Sequence, residues 1–212
     1  MTPKQKYYET AANGIIEKLA LRGMEGFYCK DREEAKKKAK EFLTKDCSVS
    51  WGGSETLNEI GLLEELKKDG NYQILDRQNP DPSLSAKEFY GKMVTSDVFF
   101  MSSNAITLDG ELINIDGNGN RVACLCNGPD QVVLIVGINK IVPDVKAGID
   151  RVRNMAAPPN AVRLDTTTPC KEHGRCMDCM KDDCMCCQIV VTRRSRKKGR
   201  INVILVGEEL GY

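Results

Sequence analysis

"SVSWGGSETLNEIGL", residues 48–62, is the stretch on which the fold turns. With Cys47 before it, Ser48–Trp51 alternates and has β-branched character, so it reads as a strand. From Glu55 to about Lys68, Leu57, Ile60, Leu62, Leu63 and Leu66 recur at helical spacing. Gly52, Gly53 and Ser54 join the two. The turn admits two readings. In one, its bare N–H groups and the start of the helix converge on an anion. Gly52 and Gly53 then let the backbone approach a ligand closely, and Ser54 and Thr56 donate hydroxyl hydrogen bonds to phosphate or carboxylate. In the other it is only a tight connection, with Ser54 as the helix cap. The spacing is neither that of a Walker loop nor that of a dinucleotide fingerprint.

Outward from this unit the same alternation continues. Toward the N-terminus, residues 7–23 read as a helix, 26–29 as a short strand, and "REEAKKKAKEFLT" as a helix capped by Asp31. Toward the C-terminus come a strand at 72–75, a proline-marked loop at 78–83, the helix "LSAKEFYGKMV" and a strand at 96–103. Helices alternating with short strands predict a mostly parallel sheet covered on both faces. The pattern then changes. "AITLDGELINIDGNGNRVACLCNG" (105–128) reads as strands separated by Asp-Gly turns. "QVVLIVG" (131–137) has the length of a buried strand, 144–156 reads as a helix, and 188–194 and 201–207 read as two further strands. The expectation is one α/β domain over 1–212, with a cysteine-rich excursion at 168–188.

The stretch 102–123 gathers a second set of polar candidates, Asn104, Thr107, Asp109, Asp116, Asn118, Asn120 and Arg121, with Gly119 in the same loop. Asn104 follows a strand end, where open α/β sheets place ligands. Asp109-Gly110 and Asp116-Gly117 have ordinary turn chemistry as their alternative. Arg121 suits a carboxylate or phosphate, and pairing with Asp116 across a hairpin serves it equally well. Lys140, after "VGIN", reads as an electrostatic clamp, a catalytic amine or a surface lysine. Trp51 reads as core or as a pocket wall. With His173 the only histidine, no Ser-His-Asp arrangement is credible.

Bulk composition narrows the function classes. In 212 residues, 31 Lys+Arg face 30 Asp+Glu, so the overall field favours neither nucleic acid nor an anionic membrane. "TRRSRKKGR" (192–200) is basic but lacks aromatics, and reads as a solvated hairpin tip rather than an RNA contact. No apolar run nears the roughly 20 residues of a membrane span, and no apolar leader opens the chain. A cytoplasmic protein is therefore expected, and a homo-oligomer stays open. Ten cysteines in such a setting point away from a disulfide scaffold. Six of them fall within 170–187, which points to metal or redox chemistry. Cys29, Cys124 and Cys126 read as small buried hydrophobes.

These stretches, with "QVVLIVGINKIVPD", "RVRNMAAPPNAVRL", "TPC…GRCMDC" and "VILVGEELGY", resemble the LUD (lactate utilisation protein) family over nearly the whole chain. The resemblance implies a single three-layer Rossmann-like domain of the NagB/RpiA/CoA-transferase type with a mixed, mostly parallel sheet. It implies a role in lactate or related hydroxyacid utilisation, alongside partner subunits that carry iron–sulfur clusters. By analogy with the wider superfamily, Gly52, Gly53, Ser54 and Thr56 line a pocket for a small anionic metabolite, faced by Asn104–Asp109 and Asn118–Arg121. No glutamate stands in a CoA-transferase-type "ENG" context. Family-like cysteine positions are Cys170, Cys176, Cys179 and Cys187, a set that suits zinc or, at other than the bacterial ferredoxin spacing, an iron–sulfur cluster. Reduced, unliganded thiols are the third outcome, and His173 is either a substitute ligand or an exposed loop residue. Whether the protein turns over a substrate or serves a redox partner as an accessory subunit is left open.

Overall fold

The structure is a computed structural model and describes residues 1–212. Strands β1 (Glu25–Cys29), β2 (Ser48–Trp51), β3 (Gln73–Leu75), β4 (Val98–Met101), β7 (Gln131–Gly137) and β10 (Ile201–Val206) form one sheet. Its order is β1-β10-β7-β4-β2-β3, and every pairing in it is parallel. Parallel neighbours need crossovers, and here helices supply them.

The period of two in the central strands fixes both faces. Leu134 and Val136 of β7 join Phe99, Met101, Val203 and Leu205 in one apolar cluster, covered by α1 (Pro3–Leu21), α5 (Ala86–Val94) and α6 (Asn120–Cys126). Val133 and Ile135 point the other way. They join Val49, Trp51, Phe100 and Ile204 beneath α2 (Arg32–Lys40), α3 (Glu55–Glu59) and α4 (Leu62–Asp69). The result is a three-layer α/β architecture whose central sheet is parallel throughout.

The mixed pairing lies in a second, four-stranded sheet. There β8 (Ile141–Val142) runs parallel to β5 (Ala105–Thr107), while β6 (Leu112–Asp116) is antiparallel to both β5 and β9 (Gln188–Thr192). Its inner face packs Ala105, Ile113 and Ile115 on α7 (Val145–Arg151) and the π-helical turn Val152–Ala156. Helices α8 (Ala157–Leu164) and α9 (Pro169–His173) lead into the cysteine-rich segment, which returns to the second sheet through β9.

Several elements depart from expectation. The helix expected over 55–68 breaks at Gly61, whose φ of +69° ends one helix and opens the next. Residues 120–126 are helical rather than a strand. Cys124 is therefore buried against the sheet while Cys126 is exposed. Residues 192–200 are not a hairpin tip, because β9 and β10 belong to different sheets. Ser195 docks on the end of α1 through its N–H to the Arg22 carbonyl, 2.8 Å. Arg200 is buried and donates to the carbonyls of Pro129, Leu125 and Cys124 at 2.7–3.0 Å, closing the C-terminus of α6.

Candidate functional site

Strands β2 and β4 are neighbours whose connections leave in opposite directions, outward to β3 and back to β7. Open parallel sheets gain a crevice at such a switch point, at the carboxyl ends of the strands. A cavity of about 470 Å³ lies there. It is walled by the turn after β2, by Ser102–Asn104 after β4, by Lys140 after β7, and by Gly211 and Tyr212 beyond β10. Gly53, Ser54, Thr56, Asn104, Asn118, Asn120, Arg121 and Lys140, from distant parts of the sequence, all reach it.

The turn is a cap and a cavity wall together. Ser54 Oγ accepts the N–H of Leu57, as a helix N-cap does. The N–H groups of Gly53, Ser54, Glu55 and Thr56 have no acceptor within the protein. Because α3 has five residues, these amides, and not a long helix dipole, are what the turn offers an anion. The two glycines differ in purpose. A Cβ at position 52 would sit 2.7 Å from Arg121 Cγ, so the space that glycine leaves is filled by the Arg121 stem. A Cβ at position 53 would meet only Arg77 Nη1, at 3.5 Å.

Arg121 is structural. Its side chain is 11% exposed and its guanidinium donates to Ser102 O, Asn114 Oδ1, Asn104 Oδ1 and Ile115 O at 2.5–3.2 Å. Asp116 lies 3.6 Å from its Nε and also accepts the N–H groups of Gly119 and Val122. The Asp116 pairing expected for Arg121 is thus made within a loop–helix unit rather than across a hairpin. Asn104 Oδ1 is spent on Arg121 and on the N–H of Ile115. Gly119, the left-handed N-cap of α6, shapes the loop without lining the cavity.

Thr107 and Asp109 do not belong to the site. Thr107 is buried in the β5–β6 hairpin, exchanging hydrogen bonds with Glu111 at 2.6 and 2.9 Å. Asp109 sits at the exposed turn, where its carbonyl accepts from Arg22 at 2.6 Å. Turn formation explains both residues.

Lys140 is the least expected member. It is 3% exposed, and its Nζ donates to Thr56 Oγ1 at 2.8 Å and Ser102 Oγ at 3.0 Å. Neither partner carries charge. Arg151 beside it is spent on the carbonyls of Asn139 and Asn104, at 3.0 and 2.7 Å, again with no carboxylate. Burial, reinforced by the Arg151 cation, pulls the Lys140 amine down to about 7. Glu59, whose carboxylate accepts the N–H of Gly211 at 2.8 Å, acts weakly the other way. At the same wall the Tyr212 hydroxyl is buried without a hydrogen-bond partner.

The cysteine-rich segment closes another side. Met185 and Cys186 line the cavity, and Met185 stacks on Gly117, where a Cβ would come within 3.3 Å of its Cα. The Cys186 thiol, pushed up to about 12 by burial, neighbours Cys184, Cys176 and Cys170. Cys187, by contrast, is exposed and donates to the Cys184 carbonyl at 3.2 Å. The Cys184 thiol in turn feels Cys179 and Cys187, so the cysteines of the segment lie near one another, yet no group of three or more His, Cys, Asp or Glu side chains is placed to hold an ion. His173 stands exposed near the end of α9. Trp51 is both core and wall.

A model of the LUD domain family matches residues 12–206. Among solved structures, the chain is similar to a DUF162 family protein from Deinococcus radiodurans. The two share 15% identity with a TM-score of 0.53, over 94% of this chain and 98% of that one, a likeness of fold. Comparison with curated proteins gave no match. No helix of the chain is long and apolar enough to cross a membrane.

Proposed function

The chain belongs to the LUD domain family, which is associated with lactate utilisation, and on that premise we propose that its cavity binds a small anionic metabolite of the hydroxyacid class. The observation that carries this reading is Lys140. A lysine at the cavity wall, hydrogen-bonded to two hydroxyls and beside the Arg151 guanidinium, has no carboxylate among its hydrogen-bond partners, so its protonated form lacks the counter-charge that a buried charge requires. A ligand carboxylate supplies it. The four unclaimed amides of Gly53–Thr56 and the exposed Arg77 guanidinium add donors at the mouth.

Lactate, pyruvate and a phosphorylated metabolite form the test panel, read by thermal shift on the wild type, Gly53→Val and Ser54→Ala. A ligand at a hundred times its Kd stabilises by about 2.7 kcal/mol, which moves the midpoint of a chain this size by about 5–10 °C. The variants are expected to lose most of that shift. An anion that stabilises all three proteins equally refutes the site.

A second reading draws on the cysteine-rich wall: an accessory subunit serving an iron–sulfur oxidoreductase, with the 170–187 segment as the docking element. Its support is that this segment borders the cavity through Met185 and Cys186, so a partner seated on it would adjoin the bound metabolite. Affinity capture from the native host distinguishes the two. Iron–sulfur subunits retained by the wild type, and lost on mutation of the exposed Met180, support the second reading; their absence refutes it.

A further inference from the structure

The hydrogen-bond directions around Lys140 say more than that a charge is missing. Thr56 Oγ1 donates its own hydrogen to Leu210 O at 3.3 Å, and Ser102 Oγ donates to Ser103 O at 3.3 Å. Both hydroxyl oxygens therefore act as acceptors toward Lys140. Two of the amine's valences are aimed at them, at 2.8 and 3.0 Å. The third carries a proton in the ammonium and a lone pair in the neutral amine. No protein acceptor takes it, although the residue lines the cavity and is 97% covered. Burial and the Arg151 cation disfavour a positive charge there; Glu59 acts the other way, and Arg121 adds a smaller effect in the same direction as Arg151. The surroundings thus favour a neutral, fixed amine, the state in which lysine is a nucleophile.

We propose that Lys140 captures the carbonyl of a 2-oxo acid covalently, as an imine, in the cavity above the Gly52–Thr56 turn. This deepens the reading above and rests on it, since the acid's carboxylate must first be held there. The step balances without an oxidant. Nζ bonds to the carbonyl carbon while the C=O π pair moves to oxygen. One proton passes from nitrogen to that oxygen, giving a carbinolamine. The oxygen then leaves as water with a second proton from nitrogen, and a C=N bond remains. Hydrolysis reverses it. The imine withdraws electrons from its neighbouring carbons more strongly once protonated, which is what makes such an adduct chemically useful.

Pyruvate with sodium cyanoborohydride at pH 7.5 traps the adduct as a secondary amine, read by intact mass and peptide mapping. The expected result is one reduced pyruvate per chain, on Lys140. At this pH an amine of ordinary pKa is less often neutral by a factor on the order of a thousand. Exposed Lys146 is the internal comparison and is expected to label far more slowly. Lactate, which has a hydroxyl in place of the ketone, cannot form the imine and is expected to slow trapping by competing. Lys140→Arg keeps a long polar side chain but removes the amine nucleophile, and is expected to abolish the adduct; if that variant does not fold, the wild-type map decides alone. Labels scattered over surface lysines with Lys140 unmodified overturn the proposal. If lactate and pyruvate both stabilise the protein and Lys140 stays unlabelled, the imine is overturned and the binding site stands. If neither stabilises and nothing is trapped, both fall.

Discussion

Replacing Lys140 with Met should stabilise the protein, by an amount that shrinks as pH rises. In the unfolded chain the amine titrates at its ordinary 10.5; in the folded protein burial and Arg151 bring it down to about 7. Between those values the unfolded chain holds a proton that the folded chain has released. Wild-type stability therefore rises with pH across that window from this group alone. Integrating the linkage gives a penalty of about 4 kcal/mol at pH 7 and about 2 kcal/mol at pH 9. Met keeps the unbranched apolar stem. It leaves Thr56 Oγ1 and Ser102 Oγ without the lysine donor, at a cost of roughly 1 kcal/mol each, although both hydroxyls keep their carbonyl acceptors. The variant should thus gain about 2 kcal/mol at pH 7 and close to nothing at pH 9. Cys29 and Cys124, pushed up to about 11 by burial, oppose this trend in both proteins once unfolded thiols ionise. The difference between variant and wild type isolates the lysine. Urea unfolding at pH 7, 8 and 9 measures it. A difference that does not change with pH would refute the desolvated amine.

Further outcomes follow from the same geometry. Gly52→Ala drives a Cβ into Arg121 Cγ and Cδ, at 2.7 and 2.8 Å, and should cost about 1–3 kcal/mol in a denaturant titration. Gly53→Ala meets only Arg77, at 3.5 Å, and should change stability by no more than about 0.5 kcal/mol. Arg121→Met strips partners from Asn104, Asn114 and Asp116 and should cost about 3–5 kcal/mol; a loss below 1 kcal/mol would show that the loop holds without it. In the folded protein iodoacetamide should label exposed Cys126 and Cys187 first and spare Cys29, Cys47 and Cys124 until unfolding. A cavity ligand should slow labelling of Cys186, and unchanged kinetics at saturating ligand would detach the cysteine-rich wall from the site.

What could be read from the sequence was whatever each segment announces by its own period. The central strands and their covering helices are legible because β7 alternates two apolar faces and the helices carry their own stripes. The misread segments are those whose local signal is short or shared. Helix α6 has seven residues, and Val122, Cys124 and Cys126 imitate an alternating strand. The leucine run 57–66 continues through Gly61, so periodicity alone cannot show the break. The strands β9 and β10 lie close in sequence and are both apolar, yet they pair in different sheets, a choice made by β6 and β7 rather than by either strand.

The site shows the same division. The Gly-Gly-Ser turn is local and its capping was readable, while the reason for Gly52 lies at Arg121, far along the chain. Thr107 and Asp109 looked functional because Asp-Gly turns and polar sites use the same residues. Lys140 is the extreme case. Nothing beside it in sequence separates it from a surface lysine. Its burial is built by Thr56, Ser102 and Arg151, and by Gly211, whose Cβ, were it present, would lie 3.3 Å from Nζ. A charge enclosed by contacts from four separate stretches is costly unless the enclosed group is used, because the same fold could place a methionine there at lower cost. That reasoning ties the stability experiment to the chemical one. If Lys140→Met is more stable at neutral pH and cannot take up pyruvate, the lysine is retained for what its amine does; a variant that is more stable and binds unchanged would remove the amine from the function.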